Sequence, residues 1–144
     1  MQTIEAKINS IKELTTGFLN YADSFSFVVR EENEISKNVR NLIHDLSVFL
    51  IEEKEVQEWP GTKLLLGNAI LYRFNLNPES AFILYRYENN LYNWLQPELP
   101  EDLVFYKGQQ PVFTSITHEN DAYFELDMEG INMLNLRGLT INFH

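Results

Sequence analysis

The chain has 144 residues, of which 44% are hydrophobic and 22% charged, a composition that argues against intrinsic disorder and suits one domain with a sizeable core. Cysteine is absent, which excludes disulfides, thiolate metal sites and cysteine nucleophiles. Lys and Arg total 11 against 21 for Asp and Glu, so the formal net charge is -10 and neither nucleic acids nor anionic membranes are favoured partners.

The acidic surplus is even along the chain. Residues 1–60 carry 6 basic and 11 acidic side chains, and residues 61–144 carry 5 and 10. With no composition shift and no Gly/Ser/Pro linker, a single domain spanning residues 1–144 is expected. Met1 to Ser10 holds Glu5 and Lys7 among isolated isoleucines, unlike a secretory signal. The apolar piece from Leu46 to Ile51 is too short to cross a membrane. The expected compartment is the cytoplasm.

In chain order, Ile4, Ile8, Ile11 and Phe18 fall close to one face and predict an N-terminal helix, with Leu14 nearby. Its narrow stripe suits packing on the domain or pairing with a second copy. Phe25, Phe27 and Val29 alternate and predict a short strand. A second helix is predicted from about Ser36 to Leu50, where Val39, Leu42, Ile43 and Leu46 recur at three- and four-residue intervals and Ser36 is the N-cap. The charged run from Glu52 to Glu58 reads as an outward extension of that helix or an exposed loop, closed by the turn Trp59-Pro60-Gly61-Thr62.

From Asn68 the period becomes two, and Ile70, Tyr72, Phe74 and Leu76 predict a half-buried strand. Asn77-Pro78 starts a short helix whose expected inner face is Ala81, Phe82 and Tyr85. An irregular aromatic stretch follows. Three strands, at residues 103–106, 112–117 and 122–126, are joined by connections short enough for antiparallel hairpins. Residues 128–135 suit one or two helical turns and residues 139–143 a last strand. Helices early and strands late predict an α+β fold, with N-terminal helices packed on a mainly antiparallel sheet formed largely by the C-terminal half.

Chemistry-bearing residues are few. Glu98, Glu101 and Asp102 cluster before the first hairpin strand, where two carboxylates with separated pKa values suit acid–base work. Solvated or capping roles are the simpler reading in so acidic a chain. His118 and Glu119 sit together at a strand end and suit proton transfer, or equally a structural bond across the turn. No second histidine stands at metal-ligand spacing, and neither a glycine-rich phosphate loop nor a Gly-x-Ser-x-Gly elbow occurs. No metal or cofactor is therefore expected. The catalytic candidates are Asp102, His118 and Glu119. Trp59, Tyr92, Trp94, Glu101 and Tyr106 are candidates for a binding surface, because aromatic side chains dominate interfaces when exposed.

Four segments stand in a suggestive order: Glu58-Trp59-Pro60-Gly61-Thr62, Leu91-Tyr92-Asn93-Trp94, Leu99-Pro100-Glu101-Asp102-Leu103-Val104-Phe105-Tyr106, and Ile116-Thr117-His118-Glu119-Asn120-Asp121-Ala122-Tyr123-Phe124. Over roughly residues 58–126 the chain resembles a group of small bacterial proteins of no established activity. The resemblance implies that Trp59, Pro60, Gly61, Trp94, Glu101, Asp102, His118 and Glu119 belong together, with Asp102 close to His118 and Glu119. Two functions compete. One is a non-enzymatic, toxin-immunity-like module whose acidic surface steers it onto a basic protein. The other is a small hydrolase or metal-dependent enzyme using Asp102, His118 and Glu119. A homodimer is compatible with either.

Overall fold

The computed structural model describes residues 1–136. The strand expected at residues 139–143 lies outside them. Among the described residues the fold is α+β, as the periodicities predict: four helices and a seven-stranded sheet whose pairings are all antiparallel.

The chain opens with a short strand, β1 (Gln2–Glu5), and the first helix, α1, covers only Ile11–Phe18, with Ser10 as its N-cap. The long N-terminal helix expected from Ile4 is therefore corrected. Ile4 pairs with Phe124 across the sheet, and the helical spacing of Ile4 and Ile8 is coincidental. β2 (Ser24–Arg30) follows, then α2 (Lys37–Leu46), which Ser36 caps as expected. A single 3-10 turn, Ser47–Phe49, leads into β3 (Leu50–Val56). This is the second correction: the charged run is a strand rather than a helix extension or a loop. Its backbone hydrogen bonds come from pairing with β6, which outweighs the poor strand propensity of Glu and Lys.

The turn expected at Trp59-Pro60-Gly61-Thr62 is the tip of a two-stranded hairpin, β4 (Glu58–Trp59) and β5 (Thr62–Lys63), whose strands the sequence pattern did not anticipate. Gly61 has φ of +87°, and a Cβ there would meet Ile116 Cγ1 at 2.9 Å, so both backbone conformation and contact call for glycine. β6 (Ala69–Asn75) and α3 (Pro78–Tyr87) come next, with Asn77 and Ser80 forming a reciprocal cap. The inner face of α3 is Ser80, Ala81 and Leu84, while Phe82 is 48% exposed, a third correction. β7 (Glu101–Lys107), β8 (Gln110–Ile116) and β9 (Asp121–Leu126) make the expected meander, and α4 (Met128–Leu136) follows.

The strand order is β1-β9-β8-β7-β2-β6-β3. The strands from residue 69 onward supply four of the seven, and β2 from the early half is inserted between β6 and β7. Directly paired residues share a face, so the register defines what each face carries. One face has a row of phenylalanines, Phe74, Phe25, Phe105, Phe113 and Phe124, each opposite the next. Their ring centroids are 5.2–6.2 Å apart, and all five are buried. All four helices pack on this row, contributing Phe18, Leu42, Leu84 and Ile131 among others to one core. The other face carries a smaller cluster, Val28, Trp59, Ala69 and Leu71, where the β4–β5 hairpin folds over the sheet.

Candidate functional site

The site begins with an irregularity between β2 and β7. Register passes from Ser26 opposite Val104 to Val28 opposite Glu101, so Phe27 alone stands against Asp102 and Leu103. That extra residue is a β-bulge, with Asp102 in the left-handed region at φ of +60°. In a regular strand, neighbouring side chains point to opposite faces. Here the bulge lets both Glu101 and Asp102 reach the side of the sheet that holds Arg30 and Trp59. Asp is among the few residues that tolerate this conformation.

Both carboxylates are buried, at 0% and 1% exposure. Glu101 Oε2 accepts the backbone N–H of Gln96 at 2.9 Å. Glu101 Oε1 accepts His118 Nε2–H at 2.9 Å and lies 3.2 Å from Arg30 Nε. The Arg30 Nε–H is not directed at that oxygen and makes no hydrogen bond, so this contact is coulombic. Asp102 Oδ2 accepts the Trp59 indole N–H at 2.9 Å and lies 3.9 Å from Arg30 Nη2. Asp102 Oδ1 accepts the Thr117 backbone N–H at 2.9 Å. The Thr117 hydroxyl also bonds Asp102, accepting its backbone N–H at 3.2 Å and donating to Oδ1 at 3.3 Å. The Arg30 guanidinium lies 5.4 Å from the Trp59 ring centroid. Gln96 ties the end of β2 to the loop before β7, accepting the Arg30 N–H and donating to the Arg30 carbonyl. All four carboxylate oxygens thus have internal donors, as buried charges require.

Of the three catalytic candidates, Asp102 and His118 join this network, His118 through Glu101 rather than directly. Glu119, in the 3-10 turn Thr117–Glu119, is exposed and makes no hydrogen bond or ion pair within the cluster. Asp102 and His118 are thus linked only indirectly, through Glu101 and Arg30, and Glu119 stands outside the network. The His118 side chain is 52% exposed while its partner Glu101 is fully buried. No group of three or more His, Asp or Glu side chains among the described residues is placed to hold a metal ion.

The binding candidates also separate. Trp94 is fully buried in the core and donates its indole N–H to the Glu88 carbonyl at 2.8 Å, so it offers no surface. Glu101 is likewise interior. Tyr92 is half-buried in the 3-10 turn Leu91–Asn93, apart from the hairpin, and burial raises its pKa. Trp59 and Tyr106, both 6% exposed, line an open groove of about 220 Å³ on the hairpin face of the sheet. Glu52, Lys54, Glu58 and Arg73 also line it. Arg73 is anchored from within, donating to Ser24 Oγ, Gln109 Oε1 and the Gly108 carbonyl, 4.5 Å from the Tyr106 ring centroid. Burial pushes the Tyr106 hydroxyl pKa up, partly opposed by its bond to Ser26 and by Arg73.

Sequence reasoning missed Arg30, Gln96 and Thr117. Arg30 had a usable signal, being the one cation in the strand Ser24–Arg30 and sharing an alternation with Ser24 and Ser26. Gln96 had none, because its role depends on the end of a distant strand. Comparison of the chain with protein-family models, curated proteins and solved structures gives no match.

Proposed function

We propose that the chain is a non-enzymatic binding module of the toxin-immunity type whose partner is a basic protein. One observation carries this reading: every oxygen of the buried acidic pair Glu101–Asp102 is engaged by internal donors. That pair braces the β4–β5 hairpin and the Thr117 turn, and the chain's remaining acidic surplus is left to act through the surface. A net charge of -10 favours encounter with a cationic macromolecule. On this reading the protein acts in the bacterial cytoplasm.

The test is isolation of the tagged full chain from its source cell. A stoichiometric basic protein is expected, with nanomolar affinity and an association rate that falls as salt rises. A preparation without any such protein, or association indifferent to salt, overturns the reading.

One observation favours a second reading, a small enzyme performing proton transfer. A half-exposed imidazole rests on a buried carboxylate, an arrangement suited to a general base. His118→Ala separates the two, since it abolishes such catalysis and leaves a broad interface mostly intact.

A further inference from the structure

The two edges of the sheet are unequal. At one edge β1 is four residues long; at the other β3 is seven, pairs with β6 on one side only, and has five exposed residues besides the half-buried Glu52 and Val56. No backbone hydrogen bond among the described residues reaches the outer side of β3. Edge strands with free N–H and C=O groups are templates for an added strand.

The side chains of β3 say what kind of strand fits. Glu53 lies opposite Tyr72 and Glu55 opposite Ile70, so both acids stand on the helix-bearing face, two residues apart. Both are exposed, and neither has an ion-pair partner among the described residues. On the opposite face, Glu52 is already paired with Lys54 at 3.2 Å. Beyond the end of β3, Leu65 and Leu66 are 96% and 84% exposed, in a loop held to Gln57 by the Leu64 N–H.

A second copy of the chain does not suit this edge. Continuous antiparallel pairing of β3 with itself requires a two-fold axis normal to the sheet, centred on a residue. Centred on Glu52, Glu53 or Glu55, that axis sets a glutamate against its own copy. Centred on Lys54, it sets lysine against lysine and Glu53 against Glu55; centred on Leu50, Ile51 or Val56, it pairs three residues of β3 or fewer. Like charges directly opposite destabilise a strand pair.

We propose that β3 accepts an extended segment of the basic partner as an eighth strand, with Lys or Arg at two positions, i and i+2, facing Glu53 and Glu55. The segment's intervening side chain meets the internally neutral Glu52–Lys54 pair. This inference rests on the binding-module reading and specifies its contact.

The test uses the full chain and a heptapeptide of alternating Lys and Val as probe, followed by amide hydrogen exchange. Exchange at alternate amides of residues 50–56 is expected to slow several-fold. The effect should weaken with salt, vanish with a Glu/Val peptide, and be lost in Glu53→Lys/Glu55→Lys. Glu53→Gln/Glu55→Gln, which removes charge without reversing it, should give an intermediate effect in a chain of unchanged circular dichroism. Unchanged exchange at residues 50–56 with the lysine peptide overturns the proposal. Slowing that tracks the concentration of the chain itself also overturns it, by identifying a second copy as the occupant. If the native basic partner binds while these amides stay fast, strand addition fails and the binding-module reading stands; if no basic partner exists, the reading itself fails.

Discussion

Two neighbouring rows of residues cross the same sheet and are built on opposite principles. The helix-side row runs Phe74, Phe25, Phe105, Phe113, Phe124 and Ile4; the row beside it on the other face runs Glu52, Arg73, Ser26, Val104, Thr114, Tyr123 and Glu5. In the first, stability comes from area and close packing, which are non-directional and shared among many contacts. On the second face it rests on individual donors and acceptors, from Arg73 on Ser24 to Trp59 and Thr117 on Asp102. Truncation in the first leaves a cavity, whereas truncation in the second leaves a named atom without its partner.

Phe105→Ala tests the packed row most severely, because Phe105 stacks on Phe18 at 5.2 Å and also meets Phe25 and Phe113. A loss of about 3–5 kcal/mol is expected in urea unfolding. Asp102→Ala tests the polar side by leaving the Trp59 and Thr117 N–H groups unsatisfied, with an expected loss of about 2–3 kcal/mol. Asp102→Gly removes the same carboxylate without a Cβ at φ of +60°, so it should be milder than Asp102→Ala by about 1 kcal/mol. Equal losses would mean that the left-handed backbone carries no strain there.

Smaller effects sharpen the contrast. Trp59→Phe keeps an aromatic ring over the sheet and removes one donor, for an expected loss of about 1–2 kcal/mol by the same measurement. His118→Ala removes a bond whose donor is half exposed, so water can replace it and the expected loss is about 1 kcal/mol or less.

The smallest effect at neutral pH concerns Tyr21, on the helix side, whose pKa burial pushes up from 10.0 to about 12 with help from the Asp127 carboxylate. A raised folded-state pKa means the fold holds the phenolic proton more tightly than the unfolded chain. Its contribution is therefore intact below pH 10 and lost as pH rises from about 10 through about 12. Tyr21→Phe should reduce that part of the stability profile, and phenolate absorbance should show one late-titrating group fewer, with Tyr87, also pushed up to about 12, remaining.

Legibility in the sequence followed the reach of the interactions. Helix α2 and the cap at Asn77-Pro78 were readable because they depend on residues within a turn of one another. The β7–β9 meander was readable because its connections are short. β1 and β3 were not. Gln2-Thr3-Ile4-Glu5 has too little apolar content to mark a strand, and the Glu52-Glu53-Lys54-Glu55 run of β3 has no clean alternation, since the strand is mostly exposed on both faces. Asp102 and His118 were identifiable by chemical type. Arg30 had a signal as the one cation of its strand, but its pairing with them, and the parts played by Gln96 and Thr117, were not legible, because a bulge between two strands far apart in the chain brings them together.

By itself the sequence determined the class of fold, the position of most helices and strands, and a surface whose net charge is strongly negative, because local periodicity and composition suffice for these. Only the tertiary structure decided that Glu101 and Asp102 are interior and mutually braced, and that the acidic run of β3 is an open sheet edge. Burial and strand neighbours are properties of long-range pairing. Identical carboxylates become a buried brace in one place and part of an exposed sheet edge in another according to which strand lies beside them.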